Sequence, residues 1–337
     1  MATFADFLTP TLLLSRGDIR ALMTPRDYFD AVEQSFRANK EGRASSPPPM
    51  HIPAAGGGFH AKGASFTSHH AYVAVKLNGN FPGNPERTGL PTIQGAILLC
   101  DAVNGSVLAI LDSIEITLIR TAAASALAAH HLAHQGAGVL GVCGCGDQGR
   151  AQAAALAEVV KFRRGYAWDI APDKSARFAA EVSQALGFPI EAVAEVRQAT
   201  QASDIIVTCT TSRAPFLSEA DVAPGAFIAA IGADSPDKSE IAPSLMARAK
   251  VVVDVLEQCL AMGDLHQAVR AGAMTGADVH ADLGDIVIGA KPGRTRDDEI
   301  IVFDSTGTAI QDAASAALIY ERACSTQSGT PFTLAAL

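Results

Sequence analysis

A glycine-rich turn constrains the fold of this chain more than any other feature of its sequence. Residues 138–149 read GVLGVCGCGDQG, in which Gly144, Gly146 and Gly149 fit the pattern G-x-G-x-x-G. An apolar, strand-like run precedes the turn, and an alanine-rich, helix-like run follows it. In that context the first glycine permits a tight turn, the second lets the backbone approach a pyrophosphate, and the third allows close packing of helix and strand. The turn therefore predicts a dinucleotide site at the start of a helix.

An acidic residue at the end of the next predicted strand adds a second element to this site. Asp169 lies 23 residues after Gly146. A carboxylate at that place accepts hydrogen bonds from ribose hydroxyls and repels a 2′-phosphate, so it favours NAD over NADP. The basic residues Lys161, Arg163 and Arg164 come just before this strand. We interpret them as a solvated face, which leaves NAD as the predicted cofactor.

The part of the chain before the turn has a different pattern. A helix is predicted to begin after Thr24, a good capping residue, and to end near Gly42. Residues 50–99 contain short β-like runs that are bounded by Gly, Pro or Asn, which predicts an antiparallel sheet. Arg120 is expected to open a long alanine-rich helix that ends at Gly136.

From Gly138 onward, strand-like and helix-like runs alternate, which predicts a parallel sheet made of βαβ units. A last helix-like run, TAIQDAASAALIYERAC, follows the final predicted strand. The predicted fold class is therefore α/β, with a Rossmann-type doubly wound domain and an additional α+β domain.

Composition excludes several kinds of partner. The chain has 26 Lys and Arg against 35 Asp and Glu, a formal net charge of −9, and no basic run, so nucleic-acid binding is not expected. No stretch of about 18 apolar residues predicts a membrane span. The N-terminal MATFADFLTPTLLL lacks the basic region of a signal peptide. Six cysteines without C-x-x-C spacing favour reduced thiols, so we expect a cytoplasmic protein without a metal site.

The combination of further segments resembles the ornithine cyclodeaminase/mu-crystallin family. These segments are VKLNGNFPGN, GLPTIQGAILLCDAVNGSVLAILDS, ITLIRTAAASALAA, GCGDQG, IGADSPDKSEI and VFDSTGTAIQD. The resemblance covers nearly the whole chain. It implies a nicotinamide-dependent homodimer with a substrate-binding and dimerisation domain at residues 1–130 and 309–337. It places an NAD-binding Rossmann domain at residues 131–308.

The resemblance also assigns roles to single positions. It implies that Lys76 binds the substrate carboxylate and that Asp234 is the catalytic acid, whereas Thr306 lines the substrate side. The implied cofactor-binding positions are Thr92, Arg120, Gly144, Gly146, Asp147, Gln148, Asp169, Thr210, Lys238 and Ser305.

One segment departs from the family pattern. The family places a substrate-binding Arg in P-x-R-x-x-x-P, whereas residues 48–53 here read PPMHIP. The next predicted strand carries His60 and Lys62, which share a face because they are two residues apart. We expect Lys62, with His60 beside it, to supply the absent cation.

The implied chemistry is the transfer of hydride between the nicotinamide and a carbon that bears nitrogen. A carboxylate on the substrate needs a cation, which explains Lys76, and an imine needs a proton donor, which explains Asp234 if burial raises its pKa. The sequence favours an NAD-dependent reductase of imino acids: a ketimine, a cyclic imine or an iminosuccinate-like compound. The alternatives are a cyclodeaminase that converts ornithine to proline and ammonia, and a binding protein without catalysis.

Overall fold

The computed structural model describes residues 10–334. These residues form two compact units. The first runs to Arg120 and resumes at Thr308, and the second is Thr121–Gly307. The N-terminal stretch on which the expectation about a signal peptide rests lies largely outside the described residues. No helix within residues 10–334 is both long and apolar enough to span a membrane.

The first unit is built on a mixed sheet. Its N-terminal part contributes β1 (Thr11–Leu14), β2 (Ala44–Ser45), β3 (Met50–Ala54), β4 (Gly57–Thr67), β5 (Ala71–Asn80), β6 (Ile93–Asp101) and β7 (Val107–Asp112). Strands β4 to β7 pair with their sequence neighbours as antiparallel ribbons, which confirms the sheet predicted for residues 50–99. Both β2 and β3 pair with β4, and Ser46 with three prolines separates them.

Helices in this part are α1 (Arg16–Leu22), α2 (Pro25–Lys40), α3 (Asn84–Thr88) and the beginning of α4 (Ser113–Leu132), which continues into the second unit from Thr121. Helix α2 begins where the sequence predicts, because Thr24 and Asp27 form a reciprocal capping box. The predicted start of α4 at Arg120 is wrong, since the helix begins seven residues earlier. The Asp112 carboxylate accepts the backbone N–H groups of Ile114 and Glu115, which caps a β-branched stretch that otherwise favours a strand.

The second unit contains a fully parallel sheet. Its strands are β8 (Val139–Cys143), β9 (Arg164–Trp168), β10 (Ile190–Ala192), β11 (Ile205–Thr208), β12 (Phe227–Ala230), β13 (Lys250–Val253), β14 (Ala281–Asp282) and β15 (Ile301–Asp304). Their spatial order is β10-β9-β8-β11-β12-β15-β13-β14. The order reverses direction between β8 and β11, which is the switch point of a doubly wound fold. The predicted fold class is thus confirmed.

The helices of this unit are α5 (Asp147–Ala157), α6 (Pro172–Leu186), α7 (Val196–Thr200), α8 (Pro243–Arg248), α9 (Leu256–Ala261), α10 (Asp264–Arg270) and α11 (Leu283–Val287). Central strands such as β11 and β12 are buried along their whole length. Parallel strands that are covered on both faces read as continuous apolar runs, which is how the sequence presents them.

The chain then returns to the first unit through α12 (Ala309–Thr326) and β16 (Thr330–Phe332). Helix α12 packs on α2 and on strands β4 and β5. Strand β16 pairs with β1 and completes the sheet order β16-β1-β7-β6-β5-β4-β2. Helix α12 thus covers the sheet face that carries Lys76, which is buried.

The opposite face of this sheet carries apolar side chains that remain exposed. Strand registers align Leu13, Ile110, Leu98 and Val75 in one row across four strands. Of these, Leu13, Leu98 and Val75 are exposed, as is Leu77 in the neighbouring row. We call these five residues the outer apolar face.

Candidate cofactor and substrate sites

The glycine-rich turn connects β8 to α5 as the sequence predicts. Gly144 has a φ of +108°, and a Cβ on Gly149 would lie 2.3 Å from the carbonyl oxygen of Gly144. A Cβ on Gly146 would meet no atom of the described chain within 4 Å. The first and third glycines are therefore needed for the turn itself, whereas the second leaves its surroundings open.

The start of α5 offers groups that suit a phosphate. Among the described residues, no side chain caps this helix at Gly146, so its first backbone N–H groups have no such partner. Gly146 and Asp147 are exposed, and the buried Oε1 of Gln148 has no hydrogen-bond partner within residues 10–334. These observations fit a pyrophosphate at this helix terminus.

Asp169 follows β9 directly and is tied to the turn. Its carboxylate accepts the backbone N–H of Cys145 at 2.9 Å and that of Ala171 at 3.0 Å. The N–H of Gly144 donates to the carbonyl oxygen of Trp168. The structure thus brings the predicted ribose residue and the predicted phosphate turn together.

The predicted catalytic acid and the other cofactor positions predicted in this unit follow further strands at the same carboxyl edge. Thr210 comes after β11, Asp234 and Lys238 follow β12, and Ser305 follows β15. The carboxyl ends of parallel strands meet at one edge of a sheet, where ligands of doubly wound folds bind.

Glu240, which the sequence analysis missed, joins the segments after β11 and β12. Its carboxylate accepts the backbone N–H of Thr210 at 2.6 Å, the hydroxyl of Thr210 at 2.7 Å and the N–H of Gly232 at 2.9 Å. The side chain is fully buried, and burial, with the nearby charge of Asp264, raises its pKa to about 7. Glu240 therefore fixes the position of Thr210.

Glu240 is one of four buried carboxyl groups that we call the acid cluster: Glu240, Asp254, Asp264 and Asp304. Asp264 accepts the backbone N–H groups of Glu240 and Ile241 through one oxygen, and burial raises its pKa to about 6. Burial, with the charge of Asp264, raises the pKa of Asp304 well above its usual range. No group of three or more His, Cys, Asp or Glu within residues 10–334 is arranged to hold a metal ion.

Asp254 holds the segment after β15. It accepts the N–H of Gly307 at 2.7 Å and the hydroxyl of Ser305 at 3.3 Å. The Thr306 hydroxyl donates to Asp254 at 3.2 Å and accepts from the Gln258 amide at 2.7 Å. Both predicted residues, Ser305 and Thr306, are buried and held by this carboxylate.

The predicted acid role of Asp234 depends on burial of its side chain, but that side chain is exposed in the structure. Its side chain is 56% exposed, and the Lys238 ammonium lies 2.6 Å from its Oδ1. The reason is local, since Asp234 lies in the loop after β12 and Lys238 follows four residues later. The two predicted residues therefore form an ion pair with each other.

In the first unit, the predicted residues Lys76 and Arg120 both form ion pairs with Asp312, which the sequence does not predict for the site. The Lys76 ammonium lies 2.6 Å from Asp312 Oδ2, and Arg120 Nε lies 2.9 Å from Asp312 Oδ1. All three side chains are at least 95% buried. We call Lys76, Arg120 and Asp312 the Asp312 ion-pair cluster.

Charge and burial oppose each other in this cluster. Burial raises the pKa of Asp312, but the charges of Arg120 and Lys76 outweigh it and hold the pKa below its usual range. Burial lowers the pKa of Lys76 to about 7, against the opposing effect of Asp312. The protonation state of Lys76 therefore changes near neutrality. The Lys76 ammonium also donates to the hydroxyl of Thr117 at 3.2 Å.

Lys62 and His60 lie on β4, beside Lys76. The β4–β5 register places Lys62 directly opposite Lys76 and His60 opposite Asn78. The rings of His60 and His51 on β3 are 4.6 Å apart. Thr92, the remaining predicted residue, precedes β6, and its carbonyl oxygen accepts the N–H of Phe81.

A doubly wound parallel sheet with an open G-x-G-x-x-G turn and an acidic residue after the second strand defines a dinucleotide-binding protein of the Rossmann class. The sequence profile of the ornithine cyclodeaminase/mu-crystallin family matches residues 10–327. The chain therefore belongs to that family, which confirms the resemblance inferred from its motifs.

Solved structures with the same fold carry bound cofactors. An archaeal alanine dehydrogenase dimer with bound NAD is 34% identical, with a TM-score of 0.92 over 97% of this chain and 100% of that one. The Δ1-pyrroline-2-carboxylate reductase of Thermococcus litoralis, in complex with NADH and L-proline, is 33% identical, with a TM-score of 0.90 over 95% and 99%. The iminosuccinate reductase of Paracoccus denitrificans, in complex with NAD⁺, is 32% identical, with a TM-score of 0.89 over 96% and 99%.

Proposed function

We propose that this protein is an NAD-dependent imine reductase that converts an imino acid to an amino acid. The observation that carries the proposal is Lys76, a buried cation held by Asp312 in a chain that also has the dinucleotide turn. A buried ammonium is costly unless it is paired or binds an anion, and an amino-acid carboxylate is such an anion. Relatives named for imine reduction, including the iminosuccinate reductase, support this choice.

The residues after the parallel strands are proposed to hold the cofactor. The first N–H groups of α5 bind the pyrophosphate, and Asp169 accepts from the ribose hydroxyls, which selects NAD. Further proposed contacts come from Thr92, Arg120, Thr210, Lys238 and Ser305. When bound, the reduced nicotinamide supplies a hydride to the imine carbon.

The chain's own residues orient the substrate and handle the proton. Lys76 binds the carboxylate, and Asp234 gives a proton to the imine nitrogen. The C=N π bond breaks as a C–H and an N–H bond form, so one hydride and one proton are consumed for each amine produced. Asp234 is exposed rather than buried, so in this proposal it passes on a proton from solvent at each turnover.

We also propose that the protein is a homodimer that buries the outer apolar face against a second copy. Exposed rows of apolar residues across several strands are typical of a protein interface. A stable dimer needs about 1,000 Å² or more of buried surface. Light scattering at micromolar concentration tests the dimer, and a monomeric mass would contradict it.

A screen of NADH oxidation tests the function. The substrates are 2-oxo acids with ammonia or methylamine, preformed cyclic imines, and L-ornithine with NAD⁺ as the cyclodeaminase control. We expect NADH to be consumed with at least one imine and Asp234→Asn to lower kcat more than it raises KM. Proline formation from ornithine without net change in NADH would instead identify a cyclodeaminase.

A further inference from the structure

We propose that Lys62, with His60 beside it, binds a second carboxylate of the substrate, so that the enzyme acts on dicarboxylic imino acids. This inference rests on the function proposed above and names the substrate class of the same site. It starts from the register of the first sheet, in which Lys62 stands directly opposite Lys76.

The alternation of side chains along a strand places the basic residues on one face. Lys76 and Asn78 point to the same face of β5, and their partners on β4 are Lys62 and His60. On the next strand His51 stands opposite His60, with the two rings in contact. Basic side chains from three adjacent strands therefore share this face.

The interleaved positions carry no charge. On β4 these are Ala61 and Gly63, and their partners on β5 are Leu77 and Val75. The basic residues are thus confined to the face that holds the buried Asp312 ion-pair cluster. A basic face of this kind is selective for anions.

Lys62 and Lys76 affect each other electrostatically. The charge of Lys62 is one of the influences that lower the pKa of Lys76, after burial and the charge of Arg120. Side chains directly opposite on antiparallel strands have Cβ atoms about 4.5–5.5 Å apart, and like charges there are unfavourable. An anion that contacts both ammonium groups relieves this repulsion.

A substrate with a single carboxylate brings one negative charge to the two ammonium groups, whereas a dicarboxylate brings two. A short dicarboxylate offers one anionic end to Lys76 and the other to Lys62. The register therefore favours a dicarboxylic imine over a monocarboxylic one.

Steady-state kinetics of NADH oxidation test this preference. The dicarboxylic imine forms from oxaloacetate and ammonia, and the monocarboxylic imine forms from pyruvate and ammonia. We expect Lys62→Met to lower kcat/KM for the dicarboxylic imine about 30-fold and to change kcat/KM for the other less than about threefold. Lys62→Arg should keep most of the activity, and Lys161→Met, at an exposed position before β9, is the matched control.

Calorimetry provides a readout that does not need turnover. With NAD⁺ present, succinate should bind the parent enzyme and bind Lys62→Met about 30-fold more weakly, while propanoate binds both alike. Unchanged thermal unfolding of the variants shows that they are folded. An equal loss of kcat/KM with both imines would overturn the second carboxylate site. So would equal affinity of the parent enzyme and of Lys62→Met for succinate. If no imine is reduced while succinate binding still depends on Lys62, the proposed function fails and the anion site stands.

Discussion

The protein buries ionisable groups in two places, and it handles their charge in opposite ways. In the first unit, Asp312 lies between two cations, so the buried charges compensate one another. In the second unit, the acid cluster is held by backbone N–H groups and hydroxyls. Opposite charges hold the pKa of Asp312 below its usual range, whereas burial raises the pKa of Glu240, Asp264 and Asp304, and the charge of Asp264 adds to this effect at Glu240 and Asp304. The comparison shows that burial alone does not set protonation, because the neighbours decide it.

Removal of Asp312 should have the largest effect, because it leaves Lys76 and Arg120 buried without their shared anion. We expect Asp312→Asn to lower the free energy of unfolding by about 3–5 kcal/mol. Denaturant titration followed by circular dichroism measures this. Asp30→Asn, which breaks the exposed pair with Arg26, is the control and should cost about 1 kcal/mol or less. Equal losses in the two variants would mean that Asp312 is not a structural counter-ion.

Replacement of Lys76 should have the next largest effect, and it should be specific to the substrate. Loss of a charge-assisted contact with a carboxylate costs roughly 2–5 kcal/mol. We expect Lys76→Met to lower kcat/KM for the imine about 30-fold or more, with the Kd of NADH changed less than about twofold. Stopped-flow fluorescence of NADH gives the Kd. A parallel loss of NADH affinity would contradict the assignment of Lys76 to the substrate alone.

Replacement of Glu240 should loosen the acid cluster by a smaller amount. A glutamine in its place has one acceptor oxygen and an NH₂ group, so at least one buried donor of Thr210 or Gly232 loses its partner. We expect Glu240→Gln to raise the Kd of NADH about tenfold, equal to about 1.4 kcal/mol, with little change in kcat. Glu219→Gln, at an exposed ion pair with Arg248, is the control. A lower kcat with unchanged Kd would place Glu240 in the chemistry instead.

The pH dependence of stability should separate the acid cluster from the Asp312 ion-pair cluster. Glu240 has a pKa near 7 in the folded protein against about 4.5 unfolded, so the folded state holds more protons between these values and stability falls as pH rises. Lys76 has a lowered pKa, so the unfolded state holds more protons above pH 7 and stability rises there. Each proton contributes a slope of up to about 1.4 kcal/mol per pH unit.

Denaturant titrations from pH 5 to pH 9 measure the two slopes. We expect a minimum near pH 7 in the parent protein. Glu240→Gln should reduce the change in the free energy of unfolding between pH 5 and pH 7. Lys76→Met should reduce the change between pH 7 and pH 9. A curve that rises steadily from pH 5 to pH 7 would contradict the protonated acid cluster.

The parts of the fold that the sequence predicts are those whose signals are local. The glycine-rich turn, Asp169 and the capping box at Thr24 each depend on residues close together in the chain. The start of α4 was missed because its β-branched residues favour a strand, and one carboxylate, that of Asp112, decides for a helix.

The candidate site is harder to predict from local sequence signals, because its supporting residues come from distant segments of the chain. Asp312 meets Arg120 across 192 positions, and Glu240 meets Thr210 across 30. One signal was available for Asp312: Gln311 and Asp312 interrupt a run of mostly small apolar residues in α12, and buried polar residues need partners. The exposure of Asp234 was equally hidden, since it depends on a loop conformation.

The three prolines between β2 and β3 have a consequence for how the protein behaves at high concentration. An edge strand presents backbone donors to which a strand of another molecule can add, and this is a common start of aggregation. Pro47, Pro48 and Pro49 have no backbone N–H, and they lie where β2 and β3 leave the edge of the sheet. This stretch therefore cannot donate to an incoming strand. The prolines thus interrupt the edge that β2 and β3 form, which limits the growth of an added strand along it.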